Sequence, residues 1–71
     1  MKKVYEESWR NWKVVVRGKN EYGEYVGKLY KDGKFVKESD YYSDDKEDCI
    51  NSMKFEIERI IDNEWESDYE I

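Results

Sequence analysis

The sequence contains no histidine, proline, alanine, glutamine or threonine. Without histidine the chain lacks the side chain that most often serves as acid, base or metal ligand near neutral pH. None of the serines can form the serine–histidine pair that activates a nucleophile. The sequence also has no glycine-rich phosphate-binding loop. We therefore predict that the protein is not an enzyme and has no cofactor.

Cysteine is nearly absent as well, since Cys49 stands alone. One cysteine excludes a disulfide within the chain and is typical of a reducing compartment. No histidine is present to activate the thiol, so we expect Cys49 to be a small buried apolar residue.

Long apolar runs are missing too. No stretch approaches the roughly 20 apolar residues that a membrane helix needs, and the two lysines near the start have no apolar run behind them, as a signal peptide would. We expect no membrane association and a location in the cytoplasm. The chain makes heavy use of Lys, Glu, Asp, Tyr, Asn and Ile, and most of these residues have AT-rich codons. This usage suggests an AT-rich source, so we expect the cytoplasm to be that of a bacterium or of a phage-infected host cell.

Aromatic and charged residues are plentiful. The 71 residues include 3 Trp, 7 Tyr and 2 Phe, and 44% of the chain is charged. A chain this short buries only about 60% of the surface that its unfolded form exposes, so large aromatic side chains help to build a sufficient core. We predict one folded domain over residues 1–71.

The net charge of −5 is unevenly distributed along the chain. Residues 1–37 hold ten Lys/Arg and five Asp/Glu (10 − 5 = +5), and residues 38–71 hold three and thirteen (3 − 13 = −10). An asymmetry of this kind concerns partners and association rather than fold.

Three strands are predicted before a helix. The β-branched run WKVVVR places a strand over about residues 9–17, EYVGKLY a second over about 24–30, and FVKESDYY a third over about 34–42. Gly27 inside the second strand predicts a bulge or a close approach by another element.

The Asp32–Gly33 pair predicts a tight hairpin between the second and third strands. A two-residue turn sets Leu29 opposite Val36, whereas a type I turn with a bulge at Gly33 sets Leu29 opposite Phe35. We favour the second register, because the first places Lys28 directly across from Lys37.

A long helix is predicted over about residues 44–66, with a frayed tail at 67–71. Ser43 is the expected N-cap, and the acidic residues after it suit the positive end of the helix dipole. One apolar face repeats at helical spacing, with Cys49 and Trp65 at its margins: Ile50, Met53, Ile57, Ile60 and Ile61. The predicted fold is α+β, a three-stranded antiparallel sheet followed by one C-terminal helix packed on one sheet face (β-β-β-α).

Four carboxylates near the start of the helix have the chemistry to hold a hard cation: Asp40, Asp44, Asp45 and Asp48. They lack the glycine and the regular alternation of a calcium loop, and favourable electrostatics at a helix start explain them. We predict no metal site.

Two surfaces are candidates for binding. The sheet face left uncovered by the helix combines basic residues with aromatics, a pattern suited to phosphates and stacked bases; its cations are Lys13, Arg17, Lys28 and Lys37. The order of three strands and a helix over about residues 9–60 resembles that of DNA-binding β-β-β-α modules in plant transcription factors and integrase arm-binding domains. That resemblance implies nucleic-acid binding through the sheet.

The second surface is the outer face of the helix. At about 100° per residue, one arc of about 80° collects Asp48, Asn51, Phe55, Arg59, Asp62 and Glu66. Phe55 lies in its middle, and an apolar centre within a polar rim is the usual anatomy of a protein interface. The alternative is that Tyr69 or Ile71 of the tail covers Phe55.

The leading hypothesis is a small acidic, non-enzymatic module that docks this helix face on a basic partner. An acidic helix beside aromatics imitates the charge of a nucleic-acid strand, so a nucleic-acid-binding protein is the expected target. The chain is similar in size and charge to small acidic phage proteins that inhibit host nucleases. The second hypothesis is nucleic-acid binding by the sheet. The third is a homodimer in which helix meets sheet or two Phe55 faces pair.

Overall fold

The computed structural model describes the backbone of residues 2–69 and the side chains of residues 2–64. Five strands form one antiparallel sheet, and a single helix follows them: β1 Lys2–Trp9, β2 Trp12–Gly18, β3 Tyr25–Lys31, β4 Lys34–Phe35, β5 Tyr41–Ser43 and α1 Lys46–Tyr69. The sheet order is β1-β2-β3-β4, with β5 also pairing with β3. The α+β class and the C-terminal helix are confirmed, but the sheet has more strands than the three predicted. Within the described residues, no helix is both long and apolar enough to cross a membrane.

The predicted first strand is instead the second arm of a hairpin. β1 pairs with β2 and ends with Trp9 opposite Trp12, so Arg10 and Asn11 form the turn. Arg10 adopts a positive φ of 54°. The turn is held to the next hairpin, because Asn11 Nδ2 donates to Asp32 Oδ1 at 2.9 Å and the Asp32 N–H donates to the Asn11 carbonyl at 2.9 Å.

The predicted third strand is interrupted. β4 ends at Phe35 and β5 begins only at Tyr41. Between them Glu38 has a φ of 66°, and the Ser39 hydroxyl donates to the Val36 carbonyl at 2.6 Å and accepts from the Leu29 N–H at 3.3 Å. The Ser39 hydroxyl thus bonds the Leu29 N–H where a neighbouring strand would otherwise do so. The chain leaves the edge of β3 after β4 and returns to it at β5.

The hairpin between β3 and β4 has the two-residue turn, so the register that we favoured is wrong. Tyr30 pairs with Phe35 and Lys31 with Lys34. Asp32 and Gly33 have φ values of 55° and 80°, and positive φ at both central positions is typical of the turn that matches strand twist. We disfavoured this register because it would pair Lys28 with Lys37. That pair does not form, because β4 ends before Lys37.

The core lies between α1 and the face of the sheet that carries Val14, Val16 and Leu29. Met53, Ile57 and Cys49 of α1 pack against it and are buried, and Ile50, Ile60 and Ile61 are partly buried. Burial raises the pKa of the Cys49 thiol, which agrees with the prediction of a buried apolar residue. The predicted apolar helix face is confirmed, except that the side chain of Trp65 lies outside the described residues.

The helix begins at Lys46, and its N-cap is Asp45 rather than the predicted Ser43. The Asp45 carboxylate accepts from the backbone N–H of Glu47 at 2.9 Å and of Asp48 at 3.3 Å. Ser43 acts one step earlier, because its hydroxyl accepts from the Asp45 N–H at 3.1 Å. A carboxylate also suits the positive end of the helix dipole. The helix continues to Tyr69, past the predicted end at residue 66, and residues 70–71 of the predicted tail lie outside the described part.

Candidate interaction surfaces

The outer face of α1 carries the residues expected there. Five of the six predicted positions are exposed: Asp48, Asn51, Phe55, Arg59 and Asp62. The side chain of the sixth, Glu66, lies outside the described residues. The Phe55 side chain is 67% exposed, which leaves most of an aromatic ring in water. The predicted covering by Tyr69 or Ile71 involves side chains outside the described residues.

Polar contacts organise the rim around Phe55. The Tyr41 hydroxyl donates to Asp48 Oδ2 at 2.7 Å. This bond and one from Ser43 hold the pKa of the Asp48 carboxyl below its usual value, so Asp48 is charged at neutral pH. Arg59 pairs with Glu56 at 2.7 Å one turn away. The rim therefore presents fixed charges close to an exposed ring.

A cleft that the sequence did not predict opens beside Phe55. It lies between α1 and the segment that precedes and begins β5, and its volume is about 340 Å³. Its lining comprises Ser39, Asp40, Tyr41, Ser52, Met53, Phe55 and Glu56. The cleft follows from the interruption between β4 and β5, because the segment that leaves the sheet at Val36 forms its outer wall. No glycine or proline at residues 36–40 signals that interruption in the sequence.

The open face of the sheet collects three of its four predicted cations. Strand pairing sets Lys13 opposite Tyr30 and Arg17 opposite Val26, on the side of β2 and β3 turned away from α1. Lys28 lies opposite Val15 on the same face. Lys37, by contrast, falls between β4 and β5, so strand pairing does not place it on this face.

Aromatic rings accompany these cations. The rings of Tyr30 and Phe35 meet edge to face, with centroids 6.0 Å apart. Lys13 Nζ lies 5.5 Å from the Tyr30 ring centre, and Lys28 Nζ lies 5.4 Å from that of Phe35. The described tryptophans belong to the other side, since Trp9 and Trp12 pack against the core. The sequence predicted aromatics on this face but did not identify Phe35, because the face on which Phe35 lies depends on the hairpin register.

Three of the four carboxylates considered for a cation make other contacts. Asp45 caps α1, Asp48 accepts from Tyr41, and Asp40 bonds to the Tyr42 hydroxyl and raises its pKa. Within residues 2–64, no group of three or more His, Cys, Asp or Glu side chains is placed to hold a metal ion.

Comparisons of the chain with protein-family models, curated proteins and solved structures found no match. The resemblance of the predicted element order to DNA-binding modules therefore stays a prediction from the sequence. The protein offers two candidate surfaces, one acidic with an exposed ring and one basic with partly covered rings.

Proposed function

We propose that this protein is a small non-enzymatic binding module that docks the outer face of α1 on a basic surface of a partner protein. The observation that carries the proposal is the 67% exposure of Phe55 at the mouth of the cleft. Single exposed apolar residues are common and carry no function by themselves. Phe55 differs because it adjoins a concave site and a charged rim, which together supply both shape and polarity for an interface.

The charge of α1 favours a basic partner. Residues 46–64 carry six Asp/Glu and three Lys/Arg (3 − 6 = −3). One of these cations, Arg59, is already paired with Glu56. Complementary charge speeds the encounter and disfavours acidic partners more than it adds affinity. Phe55 would then supply the affinity, because aromatic side chains buried at the centre of an interface contribute most of the binding energy.

The cleft indicates what the partner presents. Its floor is Met53, which is 2% exposed, and the rings of Phe55 and Tyr41 line it together with the carboxylates of Asp40 and Glu56. A cationic side chain with an aliphatic stem suits this lining, since rings and carboxylates both attract it. Lysine and arginine side chains are what a nucleic-acid-binding protein presents to phosphates, so that class of partner fits the site best.

The proposal is tested by capture of a partner on immobilised protein, from a lysate of cells that carry the gene. The double variant Phe55→Ala/Asp62→Lys removes the ring and reverses one rim charge on an exposed face, so we expect it to fold and to lose the partner. The matched control is Glu21→Lys/Tyr22→Ala, which reverses an exposed charge and removes a 77% exposed ring away from the helix.

The expected result is one basic protein retained by the wild type and by the control and absent from the Phe55→Ala/Asp62→Lys eluate. Circular dichroism of both variants establishes that they are folded. Equal retention by all three proteins would remove the helix face from consideration.

A further inference from the structure

The open face of the sheet is ordered in rows across the strands. One row crosses β1, β2 and β3 at Lys3, Arg17 and Val26, and the row at the other end crosses them at Ser8, Lys13 and Tyr30 and continues to Phe35. Successive residues on one face of a strand are about 6.6 Å apart, so Lys13 and Arg17 are separated by about 13 Å along β2. Cations thus occupy the centre of the face and rings occupy the side nearest β4.

The part of this face that β1 to β3 form is basic, opposite in sign to the whole chain. Strands β1 to β3 place four cations on it, Lys3, Lys13, Arg17 and Lys28, against the single carboxylate Glu6 (4 − 1 = +3). Glu6 lies 2.7 Å from Lys3 and 3.7 Å from Lys13. Arg17 and Lys28 instead border a shallow depression of about 40 Å³ above the buried Val15 and Val26.

The rings on this face are partly available. Phe35 is 44% exposed, and Lys28 is the cation that lies over its ring. A phosphate that drew Lys28 away would uncover the face of Phe35 for a stacked base. The opposite end is less suitable, because Asp40 and Glu24 lie near Tyr42 and raise its pKa.

We propose that the open sheet face is a second binding site and that its ligand is single-stranded nucleic acid. The sugar-phosphate backbone runs along β2 and contacts Lys13, Arg17 and Lys28. Bases turn toward β4 and stack on Tyr30 and Phe35. A single strand is favoured over a duplex because its bases are free to stack, and stacking on aromatic side chains is tolerant of sequence.

The test is fluorescence anisotropy of a labelled oligothymidylate of about 15 nucleotides, titrated with the full chain. Three neutralised phosphates predict a slope of about −2 in a plot of log affinity against log salt. Affinity should therefore fall roughly 20-fold between about 50 and about 200 mM salt. A duplex of the same length should bind more weakly.

Two paired variants test whether binding depends on the cations of this face or on any positive charge of the sheet. Arg17→Gln/Lys28→Gln removes two cations from the open face, and Lys31→Gln/Lys34→Gln removes two from the same sheet, one of which lies over Trp12 on the helix side. We expect the first pair to weaken binding at least tenfold and the second to weaken it less than about threefold. Phe35→Leu should weaken binding roughly tenfold through lost stacking.

Backbone amide chemical shifts of the wild type provide a measurement that requires no variant. Shifts confined to β2, β3 and β4 on addition of the oligothymidylate support the site. The proposal is overturned by the absence of binding at micromolar protein in low salt, by a duplex that binds as tightly as the single strand, or by equal losses in the two paired variants. Shifts centred on α1 would overturn it as well.

Discussion

Gly27 of β3 packs against α1 with no space left for a side chain. A Cβ added there would lie 2.4 Å from Met53 Cγ, 2.6 Å from Met53 Sδ and 3.5 Å from Cys49 Sγ. Met53 is itself buried, so it has little room to move. The absence of a side chain at Gly27 therefore lets Met53 pack directly on the β3 backbone, and of the two alternatives predicted for Gly27 the structure shows the close approach.

We expect Gly27→Ala to lower the free energy of unfolding by about 1–3 kcal/mol, because the added methyl group overpacks a filled site. Urea denaturation measures the effect. Met53→Ala is the partner substitution: alone it leaves a cavity, and together with Gly27→Ala it gives the new methyl group space. The double variant should be more stable than the sum of the two losses predicts. Strictly additive losses would mean that the two residues do not share the contact.

At the same scale, the sequence identified which helix residues are buried. Met53 and Ile57 were predicted from a spacing that tertiary contacts reinforce, and both are buried. Phe55 was predicted on the opposite side and is exposed. Periodicity is reliable here because every turn of a helix repeats the same geometry. The cleft beside Phe55 was not predictable in this way, because it depends on a segment from another part of the chain.

Among the elements, α1 has a different N-cap from the Ser43 that the sequence predicted. Ser43 and Asp45 are both good caps, and the structure assigns the cap to Asp45. We expect Asp45→Ala to destabilise the protein by about 1 kcal/mol, since two backbone N–H groups lose their acceptor. Thermal and urea unfolding provide the measurement.

The control for the cap is Asp45→Asn, which keeps an oxygen at the same position and should retain most of the stability. Ser43→Ala should lower stability less than Asp45→Ala, because the Ser43 hydroxyl accepts only from the N–H of Asp45, which precedes the helix. The reverse order would restore Ser43 as the cap, as the sequence predicted.

Two features of the strands could not be predicted from local sequence. The turn at Arg10 and Asn11 has no glycine, and the positive φ of Arg10 is sterically unfavourable for most residues. The contacts of Asn11 with Asp32 stabilise that turn, and Asp32 is distant in the chain. Likewise, the break at residues 36–40 depends on the contacts of Ser39 with Leu29 and Val36. Neither feature is visible in a window of ten residues, so the sequence predicted too few strands.

In the whole molecule, the uneven distribution of charge along the sequence places positive and negative charge on different faces. The basic first half supplies β1 to β4, and the acidic second half supplies β5 and α1. Opposite charges on opposite sides also favour contact between copies at low salt, as the homodimer hypothesis requires. Exposed charges are screened beyond about 8 Å at physiological ionic strength.

We therefore expect the protein to be monomeric at about 150 mM salt, with any association at low salt reversed as salt is added. Light scattering at the two salt concentrations measures this. A dimer that persists at high salt and is lost in Phe55→Ala would show that two helix faces pair. The face would then be occupied by a second copy rather than by a different partner.

The most direct test of the docking proposal is a calorimetric titration of the captured partner with single variants of each surface. A central aromatic anchor contributes about 2 kcal/mol or more, so Phe55→Ala should weaken binding roughly 30-fold or more. Asp62→Lys should weaken it further as salt is lowered, because a repulsive charge then faces a basic partner. Phe35→Ala, on the open sheet face, should leave the affinity unchanged. An affinity that survives Phe55→Ala and falls with Phe35→Ala would contradict the proposal and assign the partner to the sheet.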